Sequence, residues 1–225
     1  MADAGLGEVD ESEGPLRLGQ AAELHGAYRW IEHRLFELTG AWAAEAPLAE
    51  VQLHLDEVSG LHAWHAELWA DRLPALDGVD HASLTRPLGP AVGPLLAALA
   101  GEGSELSGET EEDPDEPPVG AGSIRGVLQR LTGLYRVVVP RLIVSYDRHL
   151  VRTSPVTDGP TIRALRLVLR DQHESWQAGE LLIQGLLERP HDAAVAAATQ
   201  RRLESIVVGA GVRPGLLPWP TGSPH

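Results

Sequence analysis

The sequence contains no cysteine. Disulfides, thiolate metal sites and a cysteine nucleophile are therefore excluded. It also contains no lysine; all 18 basic residues are arginine. That removes Schiff-base chemistry on a lysine and the usual phosphate-binding loop of nucleotide hydrolases. No apolar run approaches transmembrane length. Nucleophile elbows and glycine-rich dinucleotide loops are missing too, because Gly209-Ala210-Gly211 follows a helical pattern rather than a strand. Positive charge is scarce: the formal net charge is −14. Such a chain is poorly suited to binding nucleic acid through a broad basic surface. Together with abundant alanine, glycine, proline and leucine, the arginine-only usage suggests a GC-rich bacterial genome. The acidic N-terminus does not read as a signal peptide, so the expected compartment is the cytoplasm.

Apolar residues make up 43% of the 225 positions, an ordinary share for a globular protein. Residues 1–17 read as a disordered acidic tail. Leu24, Tyr28, Ile31, Leu35, Leu38 and Trp42 recur at steps of four and three, the seam of a bundle helix, with Glu32 beside it. Pro47 closes this helix, and a second runs from about Leu48 to Leu73 before Pro74. Residues 74–122 form a connection. It carries one short apolar run, VGPLLAALAG, and then a stretch from 101 to 122 with eight acids and no aromatic, which reads as a disordered linker.

A third helix is expected from the N-cap Ser123 to about Arg152, kinked or split by Pro140. A fourth begins near Asp158 to Pro160 and ends near Glu188. The pairs 18–73 and 123–188 would form a bundle spanning 18–208, with an extra helix over 189–208 and a Pro-rich tail over 209–225. The tryptophans read as mostly core, with Trp219 in the tail as the exception.

The two halves resemble one another. GAYRWIEHRL at 26–35 matches GLYRVVVPRL at 133–142, an offset of 107. Leu53, Leu55, Trp64 and Ala66 match Leu165, Leu167, Trp176 and Ala178 at an offset of 112. A duplication would relate two helical hairpins by a pseudo-two-fold axis, although Leu-rich helices also match by chance.

The densest group of metal-ligating side chains lies in LHLDEVSGLHAWHAELW, residues 53–69. On a helix His54, His62 and His65 fall within an arc of roughly 80°. His62 and His65 are three apart, so their rings can converge on one point. A separate stripe of Leu61, Trp64 and Leu68 could also face inward. Through the offset of 112, His62 corresponds to Glu174, His65 to Gln177 and Ser59 to Asp171. Asp171 and Glu174 would then face the histidine pair, a nitrogen-and-oxygen donor set suited to iron, manganese or zinc. The same residues could instead form an interior polar network or face solvent. A rival group pairs His173, Trp176 and Glu180 with Glu57, as a buried polar pair or an acid–base dyad.

Taken together, the two helix pairs, the long crossover, the internal similarity and the His/carboxylate positions on helices two and four resemble the ferritin-like superfamily. The likeness covers roughly residues 20–188 and implies an all-α, antiparallel four-helix bundle. Members often hold two iron or manganese ions with one Glu from each of two helices and Glu-x-x-His from each of the others. Here those positions read His62-x-x-His65 and Asp171-x-x-Glu174, with Glu32 as the first-helix carboxylate and Val139 as its counterpart on the third. The resemblance implies a metal-binding protein, with Glu32, His62, His65, Asp171 and Glu174 as ligands. Its expected activity is that of an iron- or manganese-dependent oxidoreductase acting on dioxygen or a peroxide. The competing expectation is a non-catalytic helical scaffold or oligomeric binding protein with a polar core and no metal. Expected partners are a small-molecule substrate and a second copy of the chain in a homodimer, with no nucleic acid and no membrane.

Overall fold

The computed structural model describes residues 15–75, 80–101, 122–212 and 215–219. They are all-helical, with no strand among them. The acidic stretches expected to be disordered lie mostly outside these residues. No described helix is long and apolar enough to cross a membrane.

Helix α1 (Leu18–Glu45) buries every residue of the seam read from its periodicity. Trp42 accepts the C-terminal N–H from Ala46, and Pro47 follows, as a helix end requires. Helix α2 (Ala49–Ala70) packs along α1. Its inward face is Val51, Leu55, Val58, His62, His65 and Trp69. The stripe of Leu61, Trp64 and Leu68 does not face inward: Trp64 is exposed, and its neighbours are half-buried. The two stripes lie on different sides of one helix, and α1 covers only the one carrying the histidines.

Two short helices follow, α3 (His81–Leu84) and α4 (Val92–Ala100), the latter being the apolar run of the connection. Leu84 rests on Gly26 of α1, where an added Cβ would lie 2.3 Å from the Leu84 carbonyl oxygen. The expected third helix is divided into α5 (Ile124–Gly133), a π-helical turn at Leu134–Val138 and α6 (Val139–Val151). Ser123 caps α5 by accepting the Gly126 N–H at 3.0 Å. The division has a local cause. Pro140 lacks an N–H, and its ring crowds the carbonyl four residues back. The chain answers by widening one turn, so that the Val139 N–H bonds to Leu134, five residues back.

Helix α7 (Gly159–Leu186) packs on α2, α5 and α6, and α8 (Pro190–Gly209) packs on α5 and α4. Beyond α8, residues 215–219 pack against the helices. Leu216 and Leu217 are buried, and the Leu216 N–H donates to Ser145 Oγ at 2.9 Å. Trp219 is consequently not the exception among the tryptophans. It packs against the core under Arg148, while Trp64 and Trp176 are the exposed ones.

Burial refines the internal repeat. The offset of 107 superposes the buried faces of α1 and α5–α6: Leu24 with Leu131, Tyr28 with Tyr135, Leu35 with Leu142. For α2 and α7 the offset of 112 fails, since it pairs exposed Leu53 with buried Leu165. An offset of 110 aligns Leu55, Val58, Ser59, His62 and Trp69 with Leu165, Val168, Leu169, Gln172 and Gly179, all buried. Residue identity in a Leu-rich helix is cheaper to match by chance than the face turned to the core.

Candidate metal centre

Glu32 is fully buried in the middle of α1. Its seam neighbours Tyr28, Ile31 and Leu35 leave it no route to water. A carboxylate in that position must be compensated by several donors. Four side chains from three other helices do this. His62 Nδ1 donates to Oε2 at 2.5 Å, and His65 Nδ1 lies 3.5 Å from the same oxygen. On the other oxygen, Oε1, the Tyr146 hydroxyl of α6 donates at 2.5 Å and the Gln172 amide of α7 at 3.2 Å. The carboxylate thus has one oxygen tied to α6 and α7 and one turned toward two imidazoles of α2.

Burial alone would push the Glu32 carboxyl up. The charges of His62 and His65, with their hydrogen bonds, outweigh it and hold the group well below the usual range. His65 shows the mirror image: burial lowers it, but Glu32 and Asp171 raise it above an ordinary histidine. The Tyr146 hydroxyl is driven well upward by burial and then by the Glu32 charge, which keeps it protonated as a donor.

Glu32, His62 and His65 each offer one ligand atom, and these atoms lie within 4.8 Å of one another. His62 Nε2 is buried without a hydrogen-bond partner, and His65 Nδ1 has only its 3.5 Å approach to Glu32 Oε2. Asp171 of α7 approaches from the far side, where His65 Nε2–H donates to Oδ2 at 3.2 Å. A carboxylate behind an imidazole fixes the ring's orientation and tautomer and makes its other nitrogen a better ligand.

Of the five residues expected from the sequence, Glu32, His62 and His65 come together. Asp171 stands behind His65, and Glu174 lies elsewhere: it is exposed and pairs with Arg170 along α7. The reason is the register above, which puts Gln172 rather than Glu174 opposite His62. His54 is also apart, since its Nε2 meets the Tyr135 hydroxyl at 2.6 Å. The rival dyad is not formed. His173 Nδ1 donates to the Leu169 carbonyl, Glu180 pairs with Arg136, and Glu57 is exposed.

Two residues of the group, Tyr146 and Gln172, were not singled out from the sequence as ligand partners. Gln172 left a signal, as the polar residue continuing the seam of Leu165, Val168 and Leu169. Tyr146 lies two turns beyond Val139, the repeat counterpart of Glu32. No family model, curated protein or solved structure matches the chain.

Proposed function

We propose that the protein is a ferritin-like four-helix bundle that holds a transition-metal ion on Glu32, His62 and His65. The observation carrying this reading is a buried carboxylate whose Oε2 faces one ring nitrogen from each of two buried imidazoles, the three residues offering ligand atoms within 4.8 Å of one another, with Asp171 behind one of the rings. Two imidazoles and one carboxylate form a donor set associated with non-haem iron(II), and one that manganese and zinc also accept. Iron or manganese held there would supply redox chemistry toward dioxygen or a peroxide, as expected of an oxidoreductase.

The surrounding residues have separable tasks. Tyr146 and Gln172 hold Glu32 Oε1, so that Oε2 is directed at the histidines. Asp171 orients His65. The Tyr28, Trp69 and Tyr146 rings close one side of the centre to water. Loading requires that the protons shared by Glu32 and the two histidines leave, so uptake should release acid and strengthen with pH.

The second reading is a metal-free polar core in a non-catalytic scaffold. It is favoured by the short His62–Glu32 and Tyr146–Glu32 bonds, which satisfy the carboxylate without an ion. Plasma mass spectrometry of the full chain decides between them, before and after anaerobic reconstitution with iron(II), manganese(II) or zinc. Stoichiometric metal that disappears in Glu32→Gln and in His65→Ala supports the centre. A chain that takes up none of the three ions, yet remains folded, is the scaffold.

A further inference from the structure

At one end of the helices lies a cavity of about 370 Å³, a volume within the ligand-binding range. Its walls come from the start of α1, the end of α2, the end of α6 and the start of α7. It shares no lining residue with the metal centre. His25 and His149 close it toward the core, their rings stacked on one another and packed against Trp69 and Tyr28. Burial lowers these two imidazoles to about 4 and about 3, so neither brings charge at pH 7.

The charges that line the cavity are balanced in sign: Arg72 and Arg152 against Asp71 and Asp158. Arg152 is buried and lies over the Trp219 ring at 5.6 Å. Arg72 and Asp158 are half-buried, and among the described residues neither side chain has a hydrogen bond or an ion pair, so they do not pair with one another. Both backbones are held in place. The Arg72 carbonyl accepts from His25 Nδ1 at 3.2 Å, and the Asp158 N–H donates to the Ser154 carbonyl at 3.0 Å. His25 feels both charges: after burial, which lowers it most, the Asp158 carboxylate raises it and the Arg72 guanidinium lowers it. Asp158 also stands at the N-cap of α7, where an aspartate usually turns its carboxylate onto the first N–H groups. Its side chain makes no such bond, and Pro160 has no N–H to offer. Opposite charges partly withdrawn from water yet kept apart gain from a ligand that supplies both counter-charges.

We infer that the cavity binds a small zwitterion of the amino-acid class, with its carboxylate on Arg72, its ammonium on Asp158 and an apolar skeleton against the wall of α1. A guanidinium donates two parallel N–H bonds to a carboxylate, and an ammonium donates to an aspartate, so each unpaired side chain receives the group it lacks. An ion of one sign is disfavoured. An anion on Arg72 also meets Asp71 and Asp158, and a cation on Asp158 also meets the two arginines. The apolar wall is Leu16, Leu18, Ala21 and Ala22, with Pro74 across from α2. Leu18 is 64% exposed, and a carbon skeleton seated there would cover it.

The test is isothermal titration calorimetry of the full chain with L-leucine, whose two charges are close together, and with aminocaproate, whose charges are far apart. Leucinamide and aminocaproamide serve as controls without the carboxylate, and isocaproate and caproate as controls without the ammonium. At least one zwitterion is expected to bind with a dissociation constant below about 1 mM. Its two single-charge analogues should each bind about tenfold more weakly, the usual cost of losing a charge-assisted hydrogen bond. Arg72→Gln should weaken the zwitterion by a similar factor and cancel its advantage over the amide. Asp158→Asn should cancel its advantage over the analogue without an ammonium. The comparison of zwitterion with analogues is made on the unaltered chain and stands even if a variant does not fold. Absence of binding by both zwitterions overturns the assignment, and so does equal binding of a zwitterion and either of its analogues. Zwitterion binding that folded Arg72→Gln and Asp158→Asn both leave unchanged overturns it too, because the ligand then sits elsewhere.

Discussion

Asp171 touches the proposed centre only through His65, so its carboxylate can be removed without uncovering a buried charge. Asp171→Asn should leave the fold intact but weaken metal affinity by roughly 10–100-fold, the usual effect of losing the carboxylate behind a ligating imidazole. Competition with a chelator of known affinity checks this, and unchanged affinity would remove Asp171 from the centre. Tyr146→Phe acts on Glu32 directly, since it deletes a hydrogen bond to a buried carboxylate. The metal-free protein should lose about 2 kcal/mol in urea unfolding. The buried His25 and His149 rings contribute to acid sensitivity. An unfolded histidine protonates near pH 6.5, whereas His25 and His149 resist until about 4 and about 3. The unfolded state therefore binds protons first, and stability present above pH 6.5 is lost as pH falls toward about 4 for His25 and about 3 for His149. At full loss the His25 ring accounts for roughly 3 kcal/mol and the His149 ring for roughly 5 kcal/mol. In His149→Phe the fall in urea midpoint between pH 7 and 4.5 should be visibly shallower. His65 works the other way: its value is raised, so its contribution is full below pH 6.5 and fades as pH rises through the folded value.

At the scale of elements, two glycines fix how closely helices approach. A Cβ on Gly26 would lie 2.3 Å from the Leu84 carbonyl oxygen, and one on Gly179 2.3 Å from the Tyr135 ring. Gly26→Ala meets backbone, which cannot swing aside. It should cost about 1–3 kcal/mol, as overpacking does, and release α3 from α1, seen as faster hydrogen exchange over His81–Leu84. The helix boundaries themselves were largely legible. Pro47, Pro74, Ser123 and Pro160 mark where backbone donors are missing or capped, and those effects act over a single turn. The widened turn at Leu134–Val138 was legible as a disturbance at Pro140 but not in form. Whether a proline produces a kink or an extra residue in the turn depends on what the neighbouring helices cover, here Tyr135 against α7.

For the molecule as a whole, occupation of the proposed metal centre would be linked to folding. An ion that binds only the folded chain at one hundred times its dissociation constant adds about 2.7 kcal/mol. Chelation should accordingly lower the melting temperature, and Glu32→Gln should abolish that response. An unchanged melting temperature would instead favour the scaffold reading. Residues 215–219, after α8, also belong to the folded unit. Leu216→Ala should destabilise by about 2–5 kcal/mol, because the side chain is wholly buried and Ser145 holds its backbone. Composition had marked this segment as a tail, since proline rules out a helix there; but a segment need not be helical to be packed.

The sequence by itself determined that the chain is helical and where most helices start and stop. It also determined that thiolate and lysine chemistry are excluded, and that His62 and His65 share one face of a helix beside a first-helix carboxylate. Those are properties of composition and of contacts a few residues apart. Only the tertiary structure decided which of two inward-capable stripes on α2 meets α1. It also decided that α7 offers Gln172 and Asp171 rather than Glu174, and that His25 and His149, 124 positions apart, stack on one another in the interior. The rotation of one helix against another is set by packing over its whole length, and a shift of two residues along α7 turns its face by more than half a circle. Local pattern constrains each helix to a few choices, and the shared core selects among them.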